Sequence, residues 1–325
     1  MTAAPGVDEE SGVELDPRVL RLRSGVWELD VLPDTGAALA AGRIRTREGW
    51  RDLLRPTPAG GRGVPERCAS FVMVPWSNRV RGGVLRYRGQ TWRLQHDGAD
   101  GTAIHGATRY ASWGIEARSP GSVTLSLDTS DLIGINFPWR FVARVTYALD
   151  GGRLTVSTSV QNVDVEPFPA GFGHHPYLRR SLVAPGATPS SSAQPVLHVP
   201  AERGYPLEAG MAVGPAGPVP PRADFRRPRR LGAGFVDDVL TGWDGTVGIQ
   251  YDEGVRVDLT ADPTYSHVVL YAPQRRAYFA VEPVTNVNDA FTLHAAGVPG
   301  TGVLELQPEE VRTARFTLDV TPSEA

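Results

Sequence analysis

Residues Phe141 to Leu149 and Arg153 to Val160 are two alternating, β-rich runs separated by Asp150-Gly151-Gly152. A period of two sends successive side chains to opposite faces of a strand, and an Asp-Gly-Gly break between such runs is tight-turn chemistry. The segment is therefore predicted to be a β-hairpin. Similar pairs run from Gly83 to Leu94 around Arg88-Gly89 and from Thr246 to Thr260 around Asp252-Glu253-Gly254. Ser122 to Leu127, Val268 to Tyr271 and Ala314 to Val320 read as further strands. Windows long enough for a twelve-residue amphipathic helix are interrupted by Gly, Pro or β-branched residues. Gly 36 and Pro 28 make up about a fifth of the 325 residues, below the ~25–30% that marks disorder, so the surplus is read as turns. The predicted class is all-β, a large antiparallel sandwich.

Three stretches rich in Pro, Gly, Ser or Arg, at Arg55 to Pro65, Ala184 to Pro195 and Ala209 to Arg230, are expected to be loops. Strand-like sequence on both sides of each gives no composition shift, so one domain over residues 18–325 is expected, after a flexible acidic arm over residues 1–17.

Composition removes several function classes. A net charge of -3 with dispersed arginines supplies no field that would gather nucleic acid. All 33 basic residues are arginine, so Schiff-base chemistry through a lysine amine is excluded. Cys68 is the single cysteine, which rules out an intramolecular disulfide, and it is read as a small buried side chain rather than a nucleophile. The first thirty residues carry Asp8, Glu9, Glu10, Glu14 and Asp16 and no apolar run of signal-peptide length, so a cytoplasmic location is expected. No run approaches the ~18–20 apolar residues of a membrane span, and no membrane partner is expected.

Five places carry chemistry. Phe279 to Asn286 puts Glu282 at the end of an apolar run, where a carboxylate needs a partner or a role. Gly171 to Tyr177 offers His174, His175 and Tyr177. Strand alternation sends His174 and His175 to opposite faces, and His175 shares its face with Tyr177, which favours His175 as the functional imidazole. Asn78-Arg79 ahead of Gly82-Gly83 reads either as a turn with a surface cation or as a binding pair. His105-Gly106 reads as a strand end or a ligand contact, and Asp237-Asp238 as a turn or a hydroxyl binder. Arg, His, Asp and Glu beside Trp and Tyr suit a carbohydrate, since planar polar groups bind hydroxyls and a Glu with a His can move protons.

Taken in order, these segments resemble the aldose 1-epimerase (galactose mutarotase) family over roughly residues 25 to 320. The matches are Asn78-Arg79 with Gly82-Gly83, His105-Gly106, Gly173 to Tyr177, Asp237 to Gly245, and Glu282-Pro283-Val284-Thr285-Asn286. The resemblance implies a galactose mutarotase-like supersandwich and a small sugar substrate. It makes Glu282 the general base and His175 the general acid, with Asn78, Arg79, His105, Tyr177 and Asp237 around the sugar. The chemistry needs no cofactor and no metal. Leu178 stands where many members have Phe, and Leu240 where an aromatic is common; whether either alters the sugar pocket stays open at this point. The rivals are a hexose-6-phosphate 1-epimerase with Arg81, Arg86 or Arg109 on the phosphate, a non-catalytic sugar-binding protein, and a metal hydrolase using His105, His175 and Glu282. The oligomeric state stays open.

Overall fold

The computed structural model describes residues 19–322, so the arm expected over residues 1–17 lies outside them. Phe141–Asp150 and Arg153–Asn162 pair antiparallel with Asp150 opposite Arg153, closing the turn with Gly151 at φ +55°, a left-handed conformation that glycine adopts without strain. The alternation buries Phe141, Ala143, Val145, Tyr147 and Leu149 on one face, with Leu154, Val156 and Val160 beside them. The hairpins expected at Arg88-Gly89 and at Asp252-Glu253-Gly254 also form, as Val84–Tyr87 with Gln90–Arg93 and Thr246–Tyr251 with Val255–Ala261.

These strands belong to two large antiparallel sheets, one of nine strands and one of twelve. Their facing sides share one apolar core that includes Trp27, Tyr147, Val156, Leu178, Leu259 and Phe316. The class is thus the antiparallel β architecture that the alternation predicted. The single α-helix among the described residues is Ala290–Ala295, and no helix there is long and apolar enough to cross a membrane. Burial pushes the Cys68 thiol up to about 11, as fits a packed, unreactive side chain.

Four central strands of the larger sheet position everything that follows. Numbered in chain order they are β1 (Tyr177–Val183), β2 (Val236–Thr241), β3 (His267–Ala272) and β4 (Tyr278–Val284), lying side by side as β1-β4-β3-β2. Their side chains alternate between the core and the outer face. A second apolar cluster on the outer side contains Phe71, Tyr177, Val239, Val269 and Ala280.

Of the three expected loops, Ala184 to Pro195 contains no strand or helix and Arg55 to Pro65 little more than a short turn at Ala59–Gly61. Ala209 to Arg230 corrects the expectation. It carries the short strands Met211–Ala212, Gly217–Pro218 and Arg229–Arg230 and a turn at Pro221–Ala223. The reason is tertiary: Phe225 is buried in the main core, and Arg222 makes a two-pronged ion pair with the buried Asp238 at 2.6 and 2.7 Å. Composition alone reports neither contact.

Candidate active site

Register builds the site floor. Asp237 of β2 lies opposite Tyr271 of β3, Tyr271 opposite Ala280 of β4, and Ala280 opposite Tyr177 of β1. One rung across four strands therefore carries Asp237, Tyr271, Ala280 and Tyr177 on a single face. Two residues along, Val239 pairs with Val269 and Val269 with Glu282, which puts Glu282 on the same face. The methyl of Ala280 leaves room between the two tyrosines. Asp238 points the other way to Arg222, so alternation resolves the Asp237-Asp238 ambiguity in favour of Asp237.

The remaining groups arrive on segments outside this rung. Asn286, just past β4, accepts the Ser77 N–H at 3.1 Å on its side-chain oxygen and donates from Nδ2 to the Ser77 carbonyl at 3.2 Å. Thr285 Oγ1 accepts from the Phe172 N–H at 2.9 Å. The Thr and Asn of the Glu-Pro-x-Thr-Asn motif are thus stitches that hold the Asn78 and His175 segments against the Glu282 strand. A Cβ on Gly171 would lie 2.1 Å from Asn286 Oδ1, so the stitch also requires a glycine there. His105 N–H donates to the Asn78 carbonyl at 2.8 Å. Asn78 and His105 both have left-handed backbones, at φ 57° and 62°, held by these neighbours.

The result is a pocket of about 150 Å³ lined by Asn78, Arg79, His105, His175, Tyr177, Asp237 and Glu282, all seven residues singled out from sequence, together with Val269 and Tyr271. His175 Nε2 lies 3.1 Å from Glu282 Oε1. The His175 ring stacks on Phe71 at 4.8 Å between centroids, tilts against Tyr177 at 4.3 Å and meets His105 edge-on at 5.6 Å. Arg79 is aimed by Asp100, whose Oδ2 accepts from Nε at 2.7 Å, and by Asn78 Oδ1 at 3.1 Å from Nη1. Sequence reasoning missed Phe71, Tyr271 and Asp100. Tyr271 alone left a signal, since it sits two residues from Val269 on a strand already recognised.

Electrostatics follow from burial. Glu282 is pushed well above the usual carboxylate range by loss of water and next by Asp237, against the pull of Arg79. Burial, then the Arg55 and Arg79 charges against a backbone bond that works the other way, lowers His175 to about 3. Desolvation raises Asp237 and drives His105 well below its ordinary value. The His175–Glu282 pair consequently resists net charge and favours one shared proton.

His174 faces away, as alternation expects. It is fully buried between the sheets, with Nε2 2.6 Å from Thr158 Oγ1 and its ring against Phe316. The question left open at Leu178 and Leu240 is answered by their positions. Both are fully buried in the core between the sheets, on the opposite face from the pocket, and line no part of it. They share strands with site residues but have the wrong parity.

The arginines proposed for a phosphate are otherwise engaged or distant. Arg81 Nε is 2.9 Å from Asp289, Arg109 lies between Glu66 and Asp97 at 2.6 and 2.7 Å, and exposed Arg86 is outside the pocket lining. His105, His175 and Glu282 do meet, but among the described residues no three His, Cys, Asp or Glu side chains form a set that could hold a metal ion.

The architecture has solved counterparts. A galactose mutarotase-like protein from Clostridium acetobutylicum superposes with a TM-score of 0.80 at 17% identity, covering 94% of this chain and 95% of its own. An aldose epimerase homologue from C. elegans gives a TM-score of 0.78 at 17% identity, covering 94% and 99%. These are likenesses of fold. The chain is 26% identical over 288 residues to the uncharacterized protein YphB of Escherichia coli (strain K12), covering 83% of this chain and 90% of YphB. Residues 20–319 match the family model described as aldose 1-epimerase, and this chain belongs to that family.

Proposed function

We propose that this protein is an aldose 1-epimerase that interconverts the α and β anomers of a free aldose, with Glu282 and His175 as its proton-transfer pair. The observation that carries the reading is the 3.1 Å approach of His175 Nε2 to Glu282 Oε1 inside a buried pocket walled by Arg79, Asp237, Asn78 and His105. The O1 and ring oxygen O5 of a pyranose are both bonded to C1, so two adjacent groups can serve both.

Ring opening starts from carboxylate and imidazolium. Glu282 takes the O1 proton, the O1 electron pair forms the C1 carbonyl, the C1–O5 bond breaks, and O5 takes the proton from His175. Rotation about C1–C2 presents the other carbonyl face, and reversal of both transfers closes the opposite anomer. The pair carries one exchangeable proton throughout and no net charge. Burial lowers His175 and raises Glu282, so the open-chain complex faces the neutral acid and neutral imidazole that desolvation favours. Arg79, aimed by Asp100, and Asp237 would hold the hydroxyls meanwhile, adding orientation to the ~10²–10⁴-fold expected from positioned acid-base groups.

The test is polarimetric. Freshly dissolved α-D-glucose and α-D-galactose, followed separately with and without the protein, should relax faster to an unchanged final rotation; no acceleration of either overturns the reading for free hexoses. The pH profile has a definite sign. Below the lowered value of His175, about 3, a second proton occupies the base, and above the raised value of Glu282 the shared proton departs. The acid limb of kcat/KM should therefore fall well below the ordinary ~6.5 of histidine. An acid limb centred near 6.5 would show that the two groups do not titrate as a buried pair.

A further inference from the structure

Arg55 follows directly on the strand Gly49–Leu54, and its N–H donates to the Tyr177 carbonyl at 2.7 Å. The chain thereby sets it beside a wall residue of the pocket without placing it in the lining. Its guanidinium lies 3.8 Å from the Tyr177 ring centroid and 4.6 Å from that of Tyr278, and the two rings meet edge-on at 5.3 Å. Nη2 donates to the carbonyls of Glu66 and Cys68, each at 2.8 Å, while Nε is buried without a partner. Tyr177 in turn leans on the His175 ring at 4.3 Å between centroids. A continuous run of contacts thus joins Arg55 to the proton-transfer pair.

A guanidinium withdrawn from water is ordinarily matched by a carboxylate. Among the described residues none pairs with Arg55. Glu66 turns its carboxylate to Arg109 at 2.6 Å, and Asp52 lies 3.5 Å from Arg43 and 3.9 Å from Arg179. Two aromatic faces take the place of the anion, which holds the cation without adding a negative charge to cancel its field. His175 feels that field: after burial, Arg55 is the first charge that lowers its affinity for a proton, ahead of Arg79.

We propose that Arg55 is a positioning residue of the reaction: held between Tyr177 and Tyr278, its unpaired charge sharpens His175 as the acid that hands a proton to O5. The inference rests on the mutarotase reading above and adds to it a residue outside the pocket. The charge opposes the imidazolium and so favours the step in which the His175 proton reaches O5. The tyrosine clamp fixes its distance from the imidazole. Arg79, Asp237, His105, Tyr177 and Tyr271 face the same pair from the other walls, and Arg179 stands near Arg55. All of them remain when Arg55 is changed.

The experiment follows the pH dependence of polarimetric mutarotation of α-D-glucose and α-D-galactose with the full chain, Arg55→Gln, Arg55→Lys and Tyr278→Leu. Arg55→Gln keeps an amide donor for the two carbonyls but loses the charge, so the pair should hold its protons more tightly. Both limbs of kcat/KM should move up by about one pH unit and kcat should fall about threefold, with KM unchanged. Arg55→Lys should keep both limbs in place. Tyr278→Leu, which admits water to one side of the cation, should move them up by less, and it reads the charge even if Arg55→Gln does not fold. A role confined to holding residues 66–68 would instead lower the melting temperature or raise KM with the limbs unmoved. That result, or a shift in Arg55→Lys equal to that in Arg55→Gln, overturns the assignment of Arg55 and leaves the mutarotase reading standing. No acceleration of either sugar by the unaltered protein overturns both.

Discussion

In Glu282→Gln the catalysed relaxation of optical rotation should fall by about 10²–10⁴-fold while sugar binding is retained. The substitution keeps the shape of the side chain and a carbonyl oxygen facing His175, but removes the carboxylate that takes the O1 proton in the proposed step. It should not unfold the protein. Burial raises Glu282 well above its ordinary value, so the carboxyl costs stability wherever it must ionise, and a neutral amide avoids that cost. Activity and stability should thus move apart: lost turnover, with a melting temperature at pH 7 that is unchanged or raised. Full activity in this variant would sink the assignment of the base, and a collapse of the melting temperature would mean that the ionised carboxylate is a structural necessity.

The second large effect separates the two histidines. His175→Asn should lose turnover on the same scale, with little change in fold. His174→Asn should keep turnover and lose about 1–3 kcal/mol of stability, because it removes the partner of the buried Thr158 hydroxyl at the junction of the sheets. The pH dependence carries a further signature. Burial lowers His174 to about 3, so below the unfolded value of ~6.5 the unfolded chain binds a proton that the folded chain refuses, and stability falls as pH falls. His267, lowered to about 4 by burial, acts with the same sign. Glu282 acts with the opposite sign, since its folded form holds a proton that the unfolded chain releases above its ordinary value. Comparing melting temperatures of the unaltered protein and His174→Asn between pH 7 and 4.5 isolates the His174 contribution: the variant should show the shallower loss toward acid. A dead His174→Asn beside an unaffected His175→Asn would reverse the choice of imidazole.

Much of this is legible in the sequence. The hairpin about Gly151-Gly152 and the opposite orientations of His174 and His175 follow from a period of two, which is a local property of the backbone; Asp237-Asp238, open to a turn reading in the sequence, lies on a strand. All seven candidate site residues, read from motif order, line one pocket. The same rule also answers the question left open at Leu178 and Leu240. Each adjoins site residues in sequence, but a one-residue step turns a side chain to the other face of the sheet, and both enter the core between the sheets.

What sequence determined by itself is therefore the antiparallel β class, the opposite facing of His174 and His175, and the chemistry the polar candidates can offer. Tertiary structure alone decided which strands adjoin and in what register, so that Asp237, Tyr271, Ala280 and Tyr177 form one rung with Glu282 a step away. It also decided that Asn286 binds Ser77, 209 residues earlier, that Phe71 backs His175, and that Asp100 aims Arg79. Alternation is written into each strand by neighbouring residues, whereas register and the contacts between remote segments come from packing the whole chain at once. The lowered imidazole and raised carboxyl belong to that second kind, because only the assembled pocket removes the water that would otherwise hold both at their ordinary values.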